Sequence, residues 1–182
     1  MKIQIMGASC AGSTTLGHAL SERLRVPYFD TDDYFWERTD VPYTVKRDPQ
    51  LRNQQLLEDM LPYEHWILGG SVINWGKEWE PMFDLVVFLY LPTELRMERL
   101  QAREVSRYGD AIFNDPVRHQ LYLDFIAWAA KYDDITFSGR NIKAHEDWLQ
   151  RAKTRVLEIR GDTRVQERIE LVTNFIHKNG LH

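Results

Sequence analysis

A loop bounded by two glycines, Gly7 and Gly12, lies near the amino end and constrains the fold more than any other feature of the sequence. Apolar residues within 2–6 precede it and predict a short strand, and residues 14–24 follow it and predict a helix. The phosphate-binding pattern G-x-x-x-x-G-K-[ST] occurs in the same strand–loop–helix context, and the two glycines have its separation. The sequence therefore predicts a loop whose backbone amides, together with a helix N-terminus, face an anion.

One residue departs from that pattern, because Ser13 stands where the pattern has lysine. A unit charge at 4 Å is worth about 4 kcal/mol at an effective dielectric near 20. Its uncompensated loss would slow a phosphoryl transfer on the order of a thousandfold. Either another cation takes the place of the lysine, or the protein binds nucleotide and turns over poorly. We assign nucleotide contacts to the whole loop and first helical turn, with Thr14 also on Mg²⁺: Gly7, Ala8, Ser9, Cys10, Ala11, Gly12, Ser13, Thr14 and Thr15.

The rest of the chain alternates predicted strands with predicted helices. Further strands are predicted at residues 26–30, 66–68, 85–91 and 155–159, and helices at 51–61, from 92 to about 103, after a cap at Asn114 or Asp115, and at 165–176. Seven consecutive apolar residues at 85–91 are typical of a strand covered on both faces in a parallel sheet. We therefore predict one α/β domain of three layers, with a mostly parallel five-stranded sheet and helices on both faces.

Composition excludes several classes of protein. The 182 residues suffice for one full core, and a net charge of −4 argues against nucleic acid as the main partner. The single cysteine excludes an internal disulfide and a zinc–cysteine cluster. Because the sequence has neither a long apolar run nor signal-peptide anatomy, we expect a cytoplasmic protein that does not bind a membrane. The oligomeric state is not readable from the sequence.

With this loop, the run Phe29-Asp30-Thr31-Asp32-Asp33 and the arginine-rich stretch after Pro92, the chain resembles the small P-loop kinases. These are the adenylate, shikimate and gluconate kinase group, and the chain looks most similar to bacterial proteins described only as adenylate kinase-related. The resemblance covers nearly the whole chain. It implies a P-loop NTPase fold with a small lid, here at about residues 104–115. It also implies ATP and Mg²⁺ as cofactors, and a nucleotide and a small-molecule acceptor as ligands.

The same resemblance assigns roles at the ends of two other strands. Asp30 and Asp32 match the D-x-D of shikimate kinases, which implies Asp30 on the metal side and Asp32 on the acceptor hydroxyl as orienting group or base. The alternative is that Asp32 or Asp33 caps a following helix. Gly69 and Gly70 match a glycine-rich turn that lies against the acceptor in those kinases, and a simple turn is the alternative.

Arginines supply the remaining candidates. Arg47 and Arg52 lie in the region that binds an anionic acceptor in the similar kinases, and solvated helix charges are the alternative. Arg103 and Arg107 match the start of the lid, so we expect one of them to replace the missing lysine charge in part, with Arg140 as a further candidate. Glutamates interleave with the helical arginines, which leaves a surface ion-pair ladder as the alternative.

Two functions follow from these residues. The first is a phosphotransferase that moves the γ-phosphoryl group of ATP, with Mg²⁺, to a small-molecule acceptor such as a nucleotide or a sugar acid. Its catalytic residues would be Asp32, Arg103 and Arg107. The second is a catalytically weak, nucleotide-binding pseudokinase with a regulatory or sensing role, which Ser13 favours. A serine hydrolase at Ser9 is disfavoured, because the loop lacks the final glycine of the G-x-S-x-G elbow.

Overall fold

Five strands form one sheet, and the glycine-bounded loop leaves its central strand. In the computed structural model, which describes residues 1–181, all strand pairs are parallel and the order is β2-β3-β1-β4-β5. The strands are β1 (Lys2–Gly7), β2 (Tyr28–Asp30), β3 (Trp66–Gly69), β4 (Leu85–Tyr90) and β5 (Arg155–Arg160). β2 begins later than predicted, because the Val26 amide donates to the Ser21 carbonyl at the end of the first helix and Pro27 has no amide to donate.

The helices alternate with the strands as the sequence predicts, with three additions. They are α1 (Ser13–Leu24), α2 (Thr31–Phe35), α3 (Pro49–Met60), α4 (Thr93–Tyr108), α5 (Ala111–Asn114), α6 (Pro116–Ala130), α7 (Ile142–Ala152) and α8 (Val165–Lys178), with short 3₁₀ turns at Lys77–Trp79 and Lys131–Asp133. Asp115 caps α6 by accepting two backbone amides, which confirms the predicted boundary. Neither α5, which is too short for helical periodicity, nor α7 was predicted, and a short helix near α2 was considered only as an alternative.

Two apolar cores lie on opposite faces of the sheet and complete three layers. One core places Ile3 and Ile5 of β1 against α1 and α8. The other places Met6 of β1 with four buried tryptophans against α3 and α7, namely Trp66, Trp75, Trp79 and Trp148. Full burial of one such side chain stabilises a fold by about 1.5–3 kcal/mol. The α/β fold class and the five-stranded parallel sheet are confirmed. In the described part of the chain, no helix combines the length and apolarity needed to cross a bilayer.

Candidate functional site

The backbone of the loop between β1 and α1 requires glycine at two positions. A Cβ at Gly7 would collide with the carbonyl oxygen of Leu89 on β4, so the loop leaves the sheet in close contact with its neighbour. Gly12, the N-cap of α1, has φ 100° and carries no side chain that could accept from the first-turn amides. Those amides are left for an external acceptor, which is the arrangement that binds phosphate. Cys10 also lies in the left-handed region, with φ 63°.

The ends of β1 and β2 bring a hydroxyl and a carboxylate together beside the loop. The Thr14 hydroxyl donates to Asp30 Oδ2 at 3.0 Å, and the Tyr28 hydroxyl donates to the same oxygen at 2.8 Å. Asp30 Oδ1 accepts from the amide of Asp32 at 3.0 Å and so caps α2. The cap of that short helix is therefore Asp30, and the alternative that Asp32 or Asp33 caps it is wrong.

Because Asp30 serves as the cap, the Asp32 carboxylate is not occupied by that role. Desolvation by the surrounding protein and then the neighbouring Asp30 carboxylate raise the pKa of Asp32, against the opposing charges of Arg140 and Arg103. Two acidic groups in different environments thus follow β2: Asp30 is fixed by hydrogen bonds, and Asp32 has a raised pKa, which favours proton uptake. The assignment of Asp32 to the acceptor stays a prediction.

The two glycines at the end of β3 are explained by protein atoms. A Cβ at Gly69 would collide with the Tyr28 hydroxyl, and a Cβ at Gly70 would collide with Thr31 Oγ1. Gly70 also has φ 96°, which favours glycine whatever the space available. Close packing against β2 and α2 therefore accounts for this turn. Contact with an acceptor stays a prediction.

The two arginines assigned to the acceptor differ sharply in their surroundings. The guanidinium of Arg47 donates to Glu37 Oε1 at 3.3 Å and to the carbonyls of Asp33 and Trp36, so groups of the chain itself occupy it. Arg52 on α3 is only 5% exposed, and its guanidinium lies 3.8 Å from the centre of the Trp75 ring.

Arg52 has no carboxylate within ion-pair distance among the described residues. Its Nε donates to Asn53 Oδ1 at 3.1 Å, and burial lowers the pKa of the guanidinium. A buried cation without a counter-charge is costly unless an anion reaches it. The structure therefore favours Arg52 over Arg47 as an anion receptor.

The two arginines assigned to the lid lie at the end of α4, beside the loop. Arg103 donates from Nε and Nη2 to Glu104 Oε1, at 3.2 and 3.0 Å, so a carboxylate already offsets its charge. Arg107 lies 5.4 Å from the ring centre of Tyr43, which belongs to the segment between α2 and α3. Burial raises the pKa of Cys10, and the charges of Arg103 and Arg107 oppose that shift. The lid and the catalytic roles of both arginines stay predictions.

Other arginines on α4 take part in structure. Arg96 is 1% exposed and binds Asp133 Oδ2 at 3.1 Å. Arg99 binds Asp162 Oδ1 at 2.5 Å. The ion-pair ladder along α4 therefore holds for Arg103, which pairs with Glu104, and is wrong for Arg96 and Arg99, which pair with aspartates of other segments.

A cavity of about 470 Å³ adjoins the helix end of the loop, and sequence reasoning missed it. Its wall combines the loop and α1 with α4 and the segment before α8, and it consists of Gly12, Thr15, Arg99, Asp162, Thr163, Arg164, Val165 and Arg168. Arg168 is buried and donates to the Ala11 carbonyl at 2.8 Å and to the Thr163 hydroxyl, also at 2.8 Å. The bond from Arg168 on α8 to the Ala11 carbonyl fixes the position of the loop. No local sequence pattern signals a contact across that separation.

A buried polar chain behind the β3 turn was also missed. His145 on α7 is fully buried, with Tyr132 Oη 2.6 Å from its Nδ1 and Ser71 Oγ 3.1 Å from its Nε2. Burial, and then the nearby charge of Arg140, lower the pKa of His145 well below its ordinary value, so the ring is neutral. This chain locks the turn after Gly70 to α7 without a charge.

Comparison with known proteins agrees with this geometry. The family model for shikimate kinase matches residues 9–146, which is more than half of the chain. The uncharacterised protein YqaC of Bacillus subtilis is 38% identical over 97% of this chain and 98% of its own length.

Solved structures show the same fold at low identity. Shikimate kinase from Acinetobacter baumannii, solved with shikimate, superposes with a TM-score of 0.59 at 19% identity, covering 100% of this chain and 95% of that one. Deoxyadenosine kinase from M. mycoides, solved with dATP, gives 0.60 at 15% identity, covering 97% of this chain and 100% of that one. These neighbours are small-molecule and nucleoside kinases.

Proposed function

The chain belongs to the shikimate kinase family, and we propose that it is a phosphotransferase that uses Mg-ATP and a small-molecule acceptor carrying an anionic group. The observation that carries the proposal is the 3.0 Å contact between the Thr14 hydroxyl and Asp30, directly beside a loop whose helix amides have no side-chain cap. Hydroxyl and carboxylate oxygens are the ligand types that Mg²⁺ accepts from proteins when phosphates supply the rest. When bound, Mg-ATP supplies the phosphoryl group and its divalent counter-charge.

The residues of the chain fit that pair of ligands. In residues 1–181 no group of three or more His, Cys, Asp and Glu side chains could hold a metal ion by itself, so phosphate oxygens and water would have to supply the other ligands. The Thr14 hydroxyl would bind Mg²⁺, and the Asp30 carboxylate would orient that hydroxyl and the water molecules on the metal. The cavity beside Gly12 and Arg168 has room for the nucleoside part of a ligand whose phosphates lie on the loop.

The acceptor would lie on the β2–β3 side of the loop. There Asp32, whose pKa is raised, would orient the attacking hydroxyl and receive its proton. Arg52 would bind the anionic group of the acceptor, because its guanidinium is buried without a carboxylate partner. Shikimate, sugar acids and nucleoside monophosphates all carry such a group, and these are the classes we propose.

The test is ADP release from Mg-ATP by the full chain, measured with shikimate, gluconate and nucleoside monophosphates, and with deoxyadenosine as a comparison that lacks an anionic group. We expect one class to stimulate release at least tenfold over the acceptor-free rate. Asp32→Asn should abolish the stimulation while leaving Mg-ATP affinity within about twofold, and Asp40→Asn, on the exposed segment between α2 and α3, serves as the matched control. No stimulation by any anionic hydroxyl compound would contradict the phosphotransferase.

A second function has one observation in its favour, the serine at position 13. A nucleotide-binding pseudokinase would bind Mg-ATP at the same loop and respond by a change in conformation. It predicts tight Mg-ATP binding with no acceptor-dependent turnover, including after Ser13→Lys. Acceptor-stimulated release by the wild-type chain would exclude it.

A further inference from the structure

We infer that Arg140 supplies the positive charge that position 13 lacks, and this inference rests on the proposed function. Arg140 lies between the 3₁₀ turn Lys131–Asp133 and α7, far from the loop in sequence. Its guanidinium nevertheless reaches the loop, where Nη2 lies 3.4 Å from Ser9 Oγ. Arg140 therefore contacts the phosphate loop from a different segment of the chain than the missing lysine, which would belong to α1.

The charge of Arg140 is not used by the chain. It forms no ion pair within residues 1–181, and its buried Nε has no hydrogen-bond acceptor. Its guanidinium lies 5.0 Å from the centre of the Trp128 ring. Its charge also acts on Asp32, whose pKa it lowers against the dominant effect of burial. Arg140 thus contacts the loop at Ser9, and its charge acts on Asp32, the residue proposed to orient the acceptor hydroxyl.

The other cations near the loop are already engaged. Arg103 binds the Glu104 carboxylate, and Arg168 donates to the Ala11 carbonyl from behind the loop. Arg107 lies between the rings of Tyr43 and Tyr108, 5.4 and 6.0 Å from their centres. Of these three arginines, only Arg103 pairs with a carboxylate. None of the three has a buried donor without a hydrogen-bond partner, as Arg140 has at Nε.

An arginine is suited to this task because its planar guanidinium donates two parallel hydrogen bonds to phosphate oxygens. A buried donor without a partner is costly, and a phosphate oxygen would satisfy it. The terminal phosphate of ATP lies farthest along the loop from the nucleoside, so Arg140 should discriminate ATP from ADP. Loss of a hydrogen bond to a charged group weakens binding about 10- to 100-fold.

The experiment measures affinity and needs no acceptor. Mg-ATP and Mg-ADP are titrated calorimetrically into the full chain, into Arg140→Met, which keeps the stem against Trp128, and into Arg151→Met. Arg151 is the matched control because it pairs with Glu80 on the surface. We expect Arg140→Met to weaken Mg-ATP binding about 10- to 100-fold and Mg-ADP binding much less. The control should change neither affinity.

A rescue variant tests the exchange of charges directly. Ser13→Lys should restore the ATP preference in the Arg140→Met background and add little to the wild type, where the charge is already present. An equal gain in both backgrounds, or an unchanged ATP preference in Arg140→Met, would overturn the inference. Should Arg140→Met fail to fold, a large gain from Ser13→Lys in the wild type alone would overturn it, and no gain would support it.

These outcomes separate the inference from the proposed function. A wild-type chain that does not bind Mg-ATP refutes the proposed function before Arg140 is tested. A wild-type chain that binds ATP, with an Arg140→Met variant that binds it equally well and loses only acceptor affinity, refutes the inference alone. In that case Arg140 would be an acceptor residue.

Discussion

Arg52 and Arg96 are two buried arginines whose replacement by methionine should change the free energy of unfolding by very different amounts. Arg52→Met removes a guanidinium that lies 3.8 Å from the Trp75 ring centre and donates one hydrogen bond to Asn53. Arg96→Met removes one that donates to the Leu91 and Ala129 carbonyls, the Thr93 hydroxyl and the Asp133 carboxylate. Methionine keeps much of the volume of both stems.

The magnitudes follow from these contacts. At Arg52 the substitution loses a cation–π contact of about 0.5–2 kcal/mol and a hydrogen bond of about 0.5–1.5 kcal/mol. It also removes a buried charge that has no ionic partner among the described residues, and desolvation of such a charge costs the folded state several kcal/mol. We therefore expect the free energy of unfolding of Arg52→Met to change by less than about 1 kcal/mol. Arg96→Met leaves Asp133 without its partner and should lose about 3–5 kcal/mol.

Urea denaturation at pH 7, followed by tryptophan fluorescence, measures both changes against the wild type. The same Arg52→Met protein should lose acceptor-stimulated ADP release, since its anion receptor is gone. A destabilisation of Arg52→Met as large as that of Arg96→Met would refute the reasoning, because Arg52 would then be a structural residue.

Three further changes test the site. Asp32→Asn should raise the melting temperature at pH 7 and leave it unchanged near pH 3. Folding raises the pKa of Asp32, so its ionised form costs stability only at higher pH, and an equal gain at both pH values would contradict this. Gly70→Ala should cost about 2 kcal/mol or more in urea denaturation, since φ 96° and the Thr31 contact oppose a Cβ, and a neutral result would contradict the turn geometry. Thr14→Val should reduce the Mg²⁺ enhancement of ATP binding about tenfold, and an unchanged enhancement would remove Thr14 from the metal.

Local sequence patterns predicted the fold and the position of the loop. The two glycines, the apolar run at 85–91 and the Asp115–Pro116 cap each depend on neighbours in the chain, so sequence was sufficient. The contact between Thr14 and Asp30 could be predicted from the sequence only in part. Adjacency of strand ends was expected, but the contribution of Tyr28 to the same carboxylate was not.

The hydrogen-bond and ion-pair partners of the arginines could not be predicted from the sequence. Whether Arg47, Arg52 or Arg103 is free depends on carboxylates and carbonyls that the fold brings near, such as Glu37 for Arg47. The helical spacing of arginines and glutamates on α4 predicted local ion pairs, and Arg103 pairs with Glu104, yet Arg99 pairs with Asp162, which follows β5. Long-range contacts decide which cations remain for a ligand, and a local pattern does not encode them.

Calorimetric titration of Mg-ATP into the wild-type chain, with thermal unfolding of the same samples, tests the central claim that the loop accepts phosphate without its lysine. The account predicts saturable heat and a higher melting temperature, because a ligand at a hundred times its dissociation constant stabilises the folded state by about 2.7 kcal/mol. Absence of both heat and thermal protection at millimolar Mg-ATP would contradict it.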